Sequence, residues 1–259
     1  MNDFPCLTDL EFRACTFPSF REFTDIICAL QPLRHLTLSD VEWLEIDLPP
    51  PKEHKPPPRL KTLELYIARI SHVLNWLMFD RTMLSIETVR LGSVFWEKED
   101  TTSIGLFLRR LGPRLQHLTL PGHISDVDLS YNVKLQSLFV SRLGCVTSPD
   151  QVNGELWSTA ISDGIQTTLS QLNSEQIAAI SFKILHNTDM SPRLIFDWDG
   201  IGRILAKPCF SRLRMITVGV PSLDGKLGSL MKKIWGYRLG GKGCQKHGKS
   251  QRRATDWTV

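Results

Sequence analysis

A six-residue pattern, L-x-x-L-x-L, recurs along the chain, and its spacing predicts an α/β fold. The expected architecture is a leucine-rich-repeat-like solenoid, with a parallel sheet on the concave side and helices and loops on the convex side. Copies begin at Leu7, Leu33, Leu60, Leu115 and Leu135 and, more loosely, at Ile86, and two weaker ones cover Ile177–Phe182 and Leu213–Val218. The first five starts lie 26, 27, 26 and 29 residues apart, close to the length of one strand plus one return segment. Alternate residues of a strand face opposite sides, so the leucines of x-L-x-L-x enter a core and the residues between them line the open face. Composition agrees. Apolar residues make up 42% and charged residues 22%, ordinary values for a globular chain and far from collagen-like or wholly disordered ones.

Each element follows from local signals. Strands are expected at about 9–13, 35–39, 62–66, 88–92, 117–121, 137–141, 179–184 and 214–219, as neighbours in one parallel sheet. Ser19-Phe20-Arg21-Glu22 is a capping box; Phe23, Ile26, Ile27 and Leu30 follow at helical spacing, and Pro32 stops the helix. Ser71 is placed to cap a second helix that turns Val73, Leu74, Leu77 and Met78 inward. Thr102 or Ser103 is placed to cap a third, with Ile104, Leu108 and Leu111 inward before Gly112-Pro113. Between the second and third strands, residues 48–58 hold six prolines in eleven positions. Proline has no amide donor, so this insert is an extended loop, acting as a stiff connector or as an SH3- or WW-type ligand.

The spacing from Leu115 to Leu135 is only 20 residues, which leaves room for a turn through His123–Tyr131 and no helix. Beyond it, the apolar periodicity predicts a long helix over Asp150–Leu172, a short one at Ile201–Leu205 and another from Leu223 to about Trp235. Residues 1–237 therefore read as one irregular repeat domain. Residues 238–259 are Gly/Lys/Gln-rich, lack periodicity and read as a basic, disordered tail.

Charge separates the two parts. Lys+Arg number 31 against 27 Asp+Glu, a net of +4, but residues 221–259 carry nine basic and two acidic residues. The body is therefore slightly acidic, and the overall pI of 8.8 describes the tail. Six cysteines are spaced without any C-x-x-C or Cys/His pairing, which excludes the common zinc frameworks and fits free thiols in a reducing compartment. No apolar run reaches the roughly 18 residues of a membrane span, and the first residues carry no secretory signal. The expected location is cytoplasmic, nuclear or both.

Sites of chemistry are sparse. Gly243–Ser250 matches the phosphate-loop expression literally, but a glycine-rich basic stretch precedes it where a strand is required. His123, Asp126 and Asp128 are close in sequence, as a polar turn would also make them. No catalytic residue, cofactor, metal ion or small-molecule substrate is expected. The open face instead offers candidate partner-binding residues: Glu11, Arg13, His35, Glu64, Tyr66, Arg90, His117 and Phe139. Mixed charge with exposed aromatics suits a polypeptide better than a phosphate backbone, which calls for a run of Arg and Lys.

The run Leu33–Leu38, the proline-rich insert leading into Pro58–Leu65, and Leu115–Leu120 resemble the leucine-rich-repeat portion of mushroom-type fungal F-box proteins. So do Ile124–Leu129, Phe196–Ile201 and Pro208–Leu213. The resemblance spans roughly residues 4 to 236. It implies a non-catalytic protein-binding scaffold, the substrate-recognition arm of a ubiquitin-ligase adaptor. In that family a helical F-box ahead of the repeats docks a Skp1-type adaptor. Here the first repeat begins at Leu7, so the F-box is not expected, nor is adaptor binding, and an apolar end stands near Phe4, Leu7 and Phe17. The alternative is a nuclear nucleic-acid-associated factor that acts through its basic tail.

Overall fold

Parallel strands cannot be joined by hairpins, so each must be followed by a return segment before the next strand is laid down. The structure, a computed structural model, describes residues 6–45, 55–79, 84–92, 98–121, 127–143, 154–184 and 197–219. It begins with β1 (Asp9–Arg13), β2 (Thr16–Ser19), α1 (Phe20–Ala29), β3 (His35–Ser39), β4 (Glu42–Glu45), β5 (Thr62–Tyr66), α2 (Ile70–Phe79) and β6 (Thr88–Leu91). It continues with α3 (Lys98–Leu111), β7 (His117–Pro121), β8 (Ser137–Leu143), α4 (Gly154–Ser170), β9 (Ala179–Ile184), α5 (Trp198–Leu205) and β10 (Met215–Gly219). Eight strands form one sheet in the order β1-β3-β5-β6-β7-β8-β9-β10. All its neighbours are parallel. The protein is thus a mixed α/β chain in which the strands read from the repeat pattern lie side by side in sequence order, each within two residues of its expected bounds.

The backbone just before each strand sets the register. The carbonyl of Arg34 accepts the N–H groups of both Lys61 and Thr62, and that of Lys61 accepts those of Glu87 and Thr88. The carbonyls of Glu87, Gln116, Gln136 and Ala178 repeat the arrangement at the following strands, all with donor–acceptor distances of 2.7–3.2 Å. Thr8 begins the series by serving Arg34 and His35. With that register fixed, Leu36, Leu63, Val89, Leu118, Leu138 and Ile180 align in one fully buried column. Leu38, Leu65, Leu91, Leu120, Val140 and Phe182 are buried two residues further along their strands.

Helices cover these leucines. Ser19 caps α1 by accepting the Glu22 N–H at 3.2 Å, and Phe20, Phe23, Thr24 and Ile27 point inward. Ile26 was expected inward but is 43% exposed, because Phe20, Phe23 and Ile27 already fill the inward stripe. Helix α2 starts at Ile70, and the Ser71 side chain is not its cap. The Ser71 N–H donates instead to the carboxylate of Asp100, at 2.9 Å, from the first turn of α3. Asp100 is 3% exposed, so one helix supplies the cap of its neighbour. Helix α3 also starts earlier than expected, which places Thr102 and Ser103 inside it. Its Ile104, Phe107, Leu108 and Leu111 are buried. Gly112, at φ +49°, ends it in the left-handed region that glycine enters freely. The buried amide of Asn132 then donates to the carbonyls of Leu108 and Gly112, closing the helix from the next connection.

Other expectations fare variously. Residues 127–131 form no helix, as the short spacing required, while residues 122–126 lie outside the described residues. Of the proline insert, residues 55–58 are non-helical with Pro56 and Pro57 buried; residues 48–54 lie outside the description. The long helix is seen from Gly154, and α5 begins at Trp198, capped by Asp197 through the Gly200 N–H. The helix at 223–235, the tail and the boundary at 237–238 lie outside the described residues. All described residues belong to one compact unit. Among the described residues, no helix is long and apolar enough to cross a membrane.

The small sheet of β2 and β4 was not foreseen. It brings Phe17 level with Trp43 and builds an aromatic group at the start of the sheet. Phe12, Phe17 and Phe23 contact one another edge to face, and Phe20 and Phe23 pack on Trp43. Leu7, Leu10, Phe12 and Phe17 remain only partly buried, whereas Leu33, Leu36 and Leu38 at the next strand of the large sheet are fully buried. The Trp43 indole N–H donates to Nδ1 of His72 at 3.2 Å. Burial, then the charge of Arg69, hold the His72 pKa below its ordinary 6.5, against a weaker opposing pull from Asp100 and Glu99.

Two outcomes follow for stability. Asp100→Ala should cost about 1–2 kcal/mol in urea unfolding, because it strips a cap and leaves the Ser71 N–H unpaired, while Asp100→Asn should recover most of the loss. His72 is held neutral in the fold, so the unfolded chain binds its proton more readily. Its contribution is fully present above about pH 6.5 and is lost as the pH falls through the lower folded value. Urea midpoints should therefore drop between neutral pH and pH 5, and His72→Gln should flatten that slope. An unchanged slope in the variant would place the sensitivity elsewhere.

Candidate functional site

Because the register is continuous, the residues between the leucines form columns across the open face. The first column reads Asp9, His35, Thr62, Thr88, His117, Ser137, Ala179, Met215. The second reads Glu11, Thr37, Glu64, Arg90, Thr119, Phe139, Ser181, Thr217. A third begins Arg13, Ser39, Tyr66 at the strand ends. All eight sequence-derived candidates stand in these columns, but they do not gather at one point. From β1 to β8 there are five steps of about 4.8 Å, on the order of 24 Å. Pro121, read as open-facing from its place in the pattern, is buried instead; an apolar ring at a strand end gains by leaving water.

The candidates fall into three groups. At β1 and β3, Glu11 pairs with Arg13 on its own strand, and His35 Nδ1 contacts the Asp9 carboxylate across the strands. Hydrogen bonds from Thr8 first, and His35 second, hold the Asp9 pKa below its usual value. These side chains are mostly exposed, so they order the surface and contribute little to stability.

At β5 and β6, the Arg90 guanidinium binds the Glu64 carboxylate, whose other oxygen accepts the Tyr66 hydroxyl proton at 3.3 Å. Glu64 is only 18% exposed in its side chain, which makes this the least solvated ion pair of the face. Partial burial, then the Glu64 charge and hydrogen bond, raise the Tyr66 pKa above its usual 10.0, while Arg90 opposes them. Gly92 is required here. A Cβ at that position would stand 2.6 Å from Cδ1 of Tyr66, so only glycine lets the ring lie over the end of β6.

At β7 and β8, Nδ1 of His117 and Oγ of Ser137 share a hydrogen bond of 2.8 Å. Phe139 lies beside them, 36% exposed; Tyr66 is 38% exposed. Thr119, the small residue between Arg90 and Phe139 in the second column, leaves a depression of about 330 Å³ lined by Thr88, Arg90, His117, Leu118, Thr119, Ser137 and Phe139. The sequence placed Arg90, His117 and Phe139 on the face. It did not announce the depression, whose signal was the alternation of large and small residues along one register row.

The other candidates of the sequence stay apart. His35 and His117 share the first column, three strands distant. Hydrogen bonds from the Ser130 side chain first, and from its N–H at 2.9 Å second, lower the Asp128 pKa in a local turn, while His123 and Asp126 lie outside the described residues. Among the described residues, no group of three His, Cys, Asp or Glu side chains could hold a metal ion. No carboxylate backs His117 among the described residues, and the hydroxyl at Asp9 bonds the acid and not the imidazole, so neither histidine completes a nucleophile–base–acid chain. Cys6, Cys15, Cys28 and Cys209 are free thiols; burial, then Asp25, push Cys28 up to about 12. Cys145, Cys244 and the phosphate-loop match lie outside the described residues. Compared with known proteins, the chain matches no family model and no curated sequence.

The middle group has a spectroscopic test. Tyrosinate absorbance against pH, with Tyr66→Phe to isolate the residue, should show Tyr66 titrating above the ordinary range. Glu64→Gln should lower that pKa, and Arg90→Gln should raise it further; the reverse order would mean that the three side chains do not meet.

Proposed function

We propose that the chain is a leucine-rich-repeat-like solenoid and works as a non-catalytic protein-binding scaffold through its open sheet face. One observation carries the reading: the residues between the leucines stand in continuous columns that offer mixed charge, hydroxyls and two half-exposed aromatic rings over about 24 Å. That pattern suits an extended polypeptide. It does not suit a nucleic-acid backbone, since Arg13, Arg90 and Lys183 are far apart in the columns and the first two already bind carboxylates. The resemblance to the repeat portion of mushroom-type F-box proteins supports the same reading, with the scaffold as a substrate-recognition arm.

The test is affinity capture with the full chain. Partners recovered by the native protein should be lost with the double variant Tyr66→Ala/Phe139→Ala and kept with Ile26→Ala/Leu106→Ala, which alters exposed helix positions. Retention by the first variant, or salt-sensitive nucleic-acid binding that disappears when residues 238–259 are removed, would count against it and favour the basic tail.

A further inference from the structure

Among the described residues, the depression between β6 and β8 brings a cation, an imidazole, hydroxyls and an aromatic ring around a small floor. Thr119 forms that floor, with Arg90 on one side and Phe139 on the other, two strands or about 10 Å apart. Thr88, His117 and Ser137 line the adjoining column. Only one guanidinium nitrogen of Arg90 is bonded, to Glu64; among the described residues its other N–H groups have no partner. Resting on the reading above, we infer that this depression is a specificity pocket for a partner peptide's aspartate or glutamate side chain, with a neighbouring apolar side chain laid on Phe139.

Charge decides the occupant. Arg90 lines the depression and keeps N–H donors beyond the one given to Glu64, so the site suits a single carboxylate that shares the guanidinium with Glu64. A phosphate dianion would bring twice the charge close to Glu64 with no second arginine to balance it. A lysine or arginine of the partner would meet Arg90 directly. The chain's own residues 221–259, with nine basic and two acidic residues, have the wrong sign to be the occupant. The volume of about 330 Å³ has room for an acidic side chain and one apolar neighbour.

The experiment is selection of a displayed random-peptide library on the full chain, followed by anisotropy measurements on the enriched peptides. Enriched peptides should share an Asp or Glu beside a large apolar residue. Changing that acid to its amide should weaken binding to the native protein by about tenfold or more and leave binding to Arg90→Gln unchanged. Thr119→Leu, which fills the floor, should block binding while circular dichroism and melting remain native. Phosphoserine in place of the acid should bind no more tightly; a gain above tenfold would overturn the choice of a carboxylate. Peptides blocked by Thr119→Leu yet indifferent to the acid would overturn the pocket's specificity and leave the protein-binding reading intact. No enrichment, or binding insensitive to Thr119→Leu, Tyr66→Ala and Phe139→Ala alike, would overturn both.

Discussion

One carbonyl ahead of each strand accepts two N–H groups from the next, and this recurs from Thr8 to Ala178 at every step of the eight-stranded sheet. A residue held this way cannot slip along its neighbour without losing both bonds, and a slip of one residue would turn every leucine out to water. From this constraint come the two buried columns and, on the opposite side, the polar columns that make the face a surface. The residue before it contributes as well. Leu33, Leu60, Leu115, Leu135, Ile177 and Leu213 each donate their N–H to the carbonyl three residues back, so the chain enters the strand through the same turn each time.

With register secured by the backbone, the return segments are free to differ. Among the described residues, the return between β1 and β3 holds a short strand and a helix, that between β3 and β5 a short strand and the non-helical residues 55–58, and that between β7 and β8 turns without a helix. What each must do is bury apolar side chains and satisfy the helix ends of its neighbour. Asp100 closes the start of α2, and Asn132 closes the end of α3. Ser174 does the like for a turn, since its buried hydroxyl donates to the Leu135 carbonyl just ahead of β8 and accepts the Gln176 N–H. Asp100, Asn132 and Ser174 each reach a partner 20 to 39 residues earlier in the chain, which ties each connection to the one before it.

The strands were legible because a period of two inside a period near 26 is a strong local signal, and the shared register follows once the copies are superposed. What was not legible depended on other segments. The caps at Asp100 and Asn132 join residues far apart in sequence, so local capping rules pointed to Ser71, Thr102 and Ser103 instead. The strands β2 and β4 are four residues long, and each follows a non-glycine residue in the left-handed region, Ala14 at φ 51° and Asp40 at φ 52°; alanine rarely enters it, and aspartate, though enriched there, does so at a minority of its positions. Ile26 was misplaced because a ten-residue helix has room for one inward stripe and the sequence offered two. Of the site, the columns were readable; the Glu64–Arg90–Tyr66 contacts, the glycine beneath Tyr66 and the depression over Thr119 required the side-chain directions.

The proposed scaffold role rests on the open face, and not the helical side, meeting a partner. The most direct measurement is covalent histidine labelling of the full chain, alone and with a captured partner, followed by mass spectrometry. His35 and His117 lie on the open face, and His72 packs against Trp43 beneath α1 and β4. The expected result is that partner binding protects His35 and His117 from the reagent and leaves His72 as reactive as before. Protection of His72 with no change at His35 and His117 would contradict it, and would put the interaction on the opposite side of the sheet.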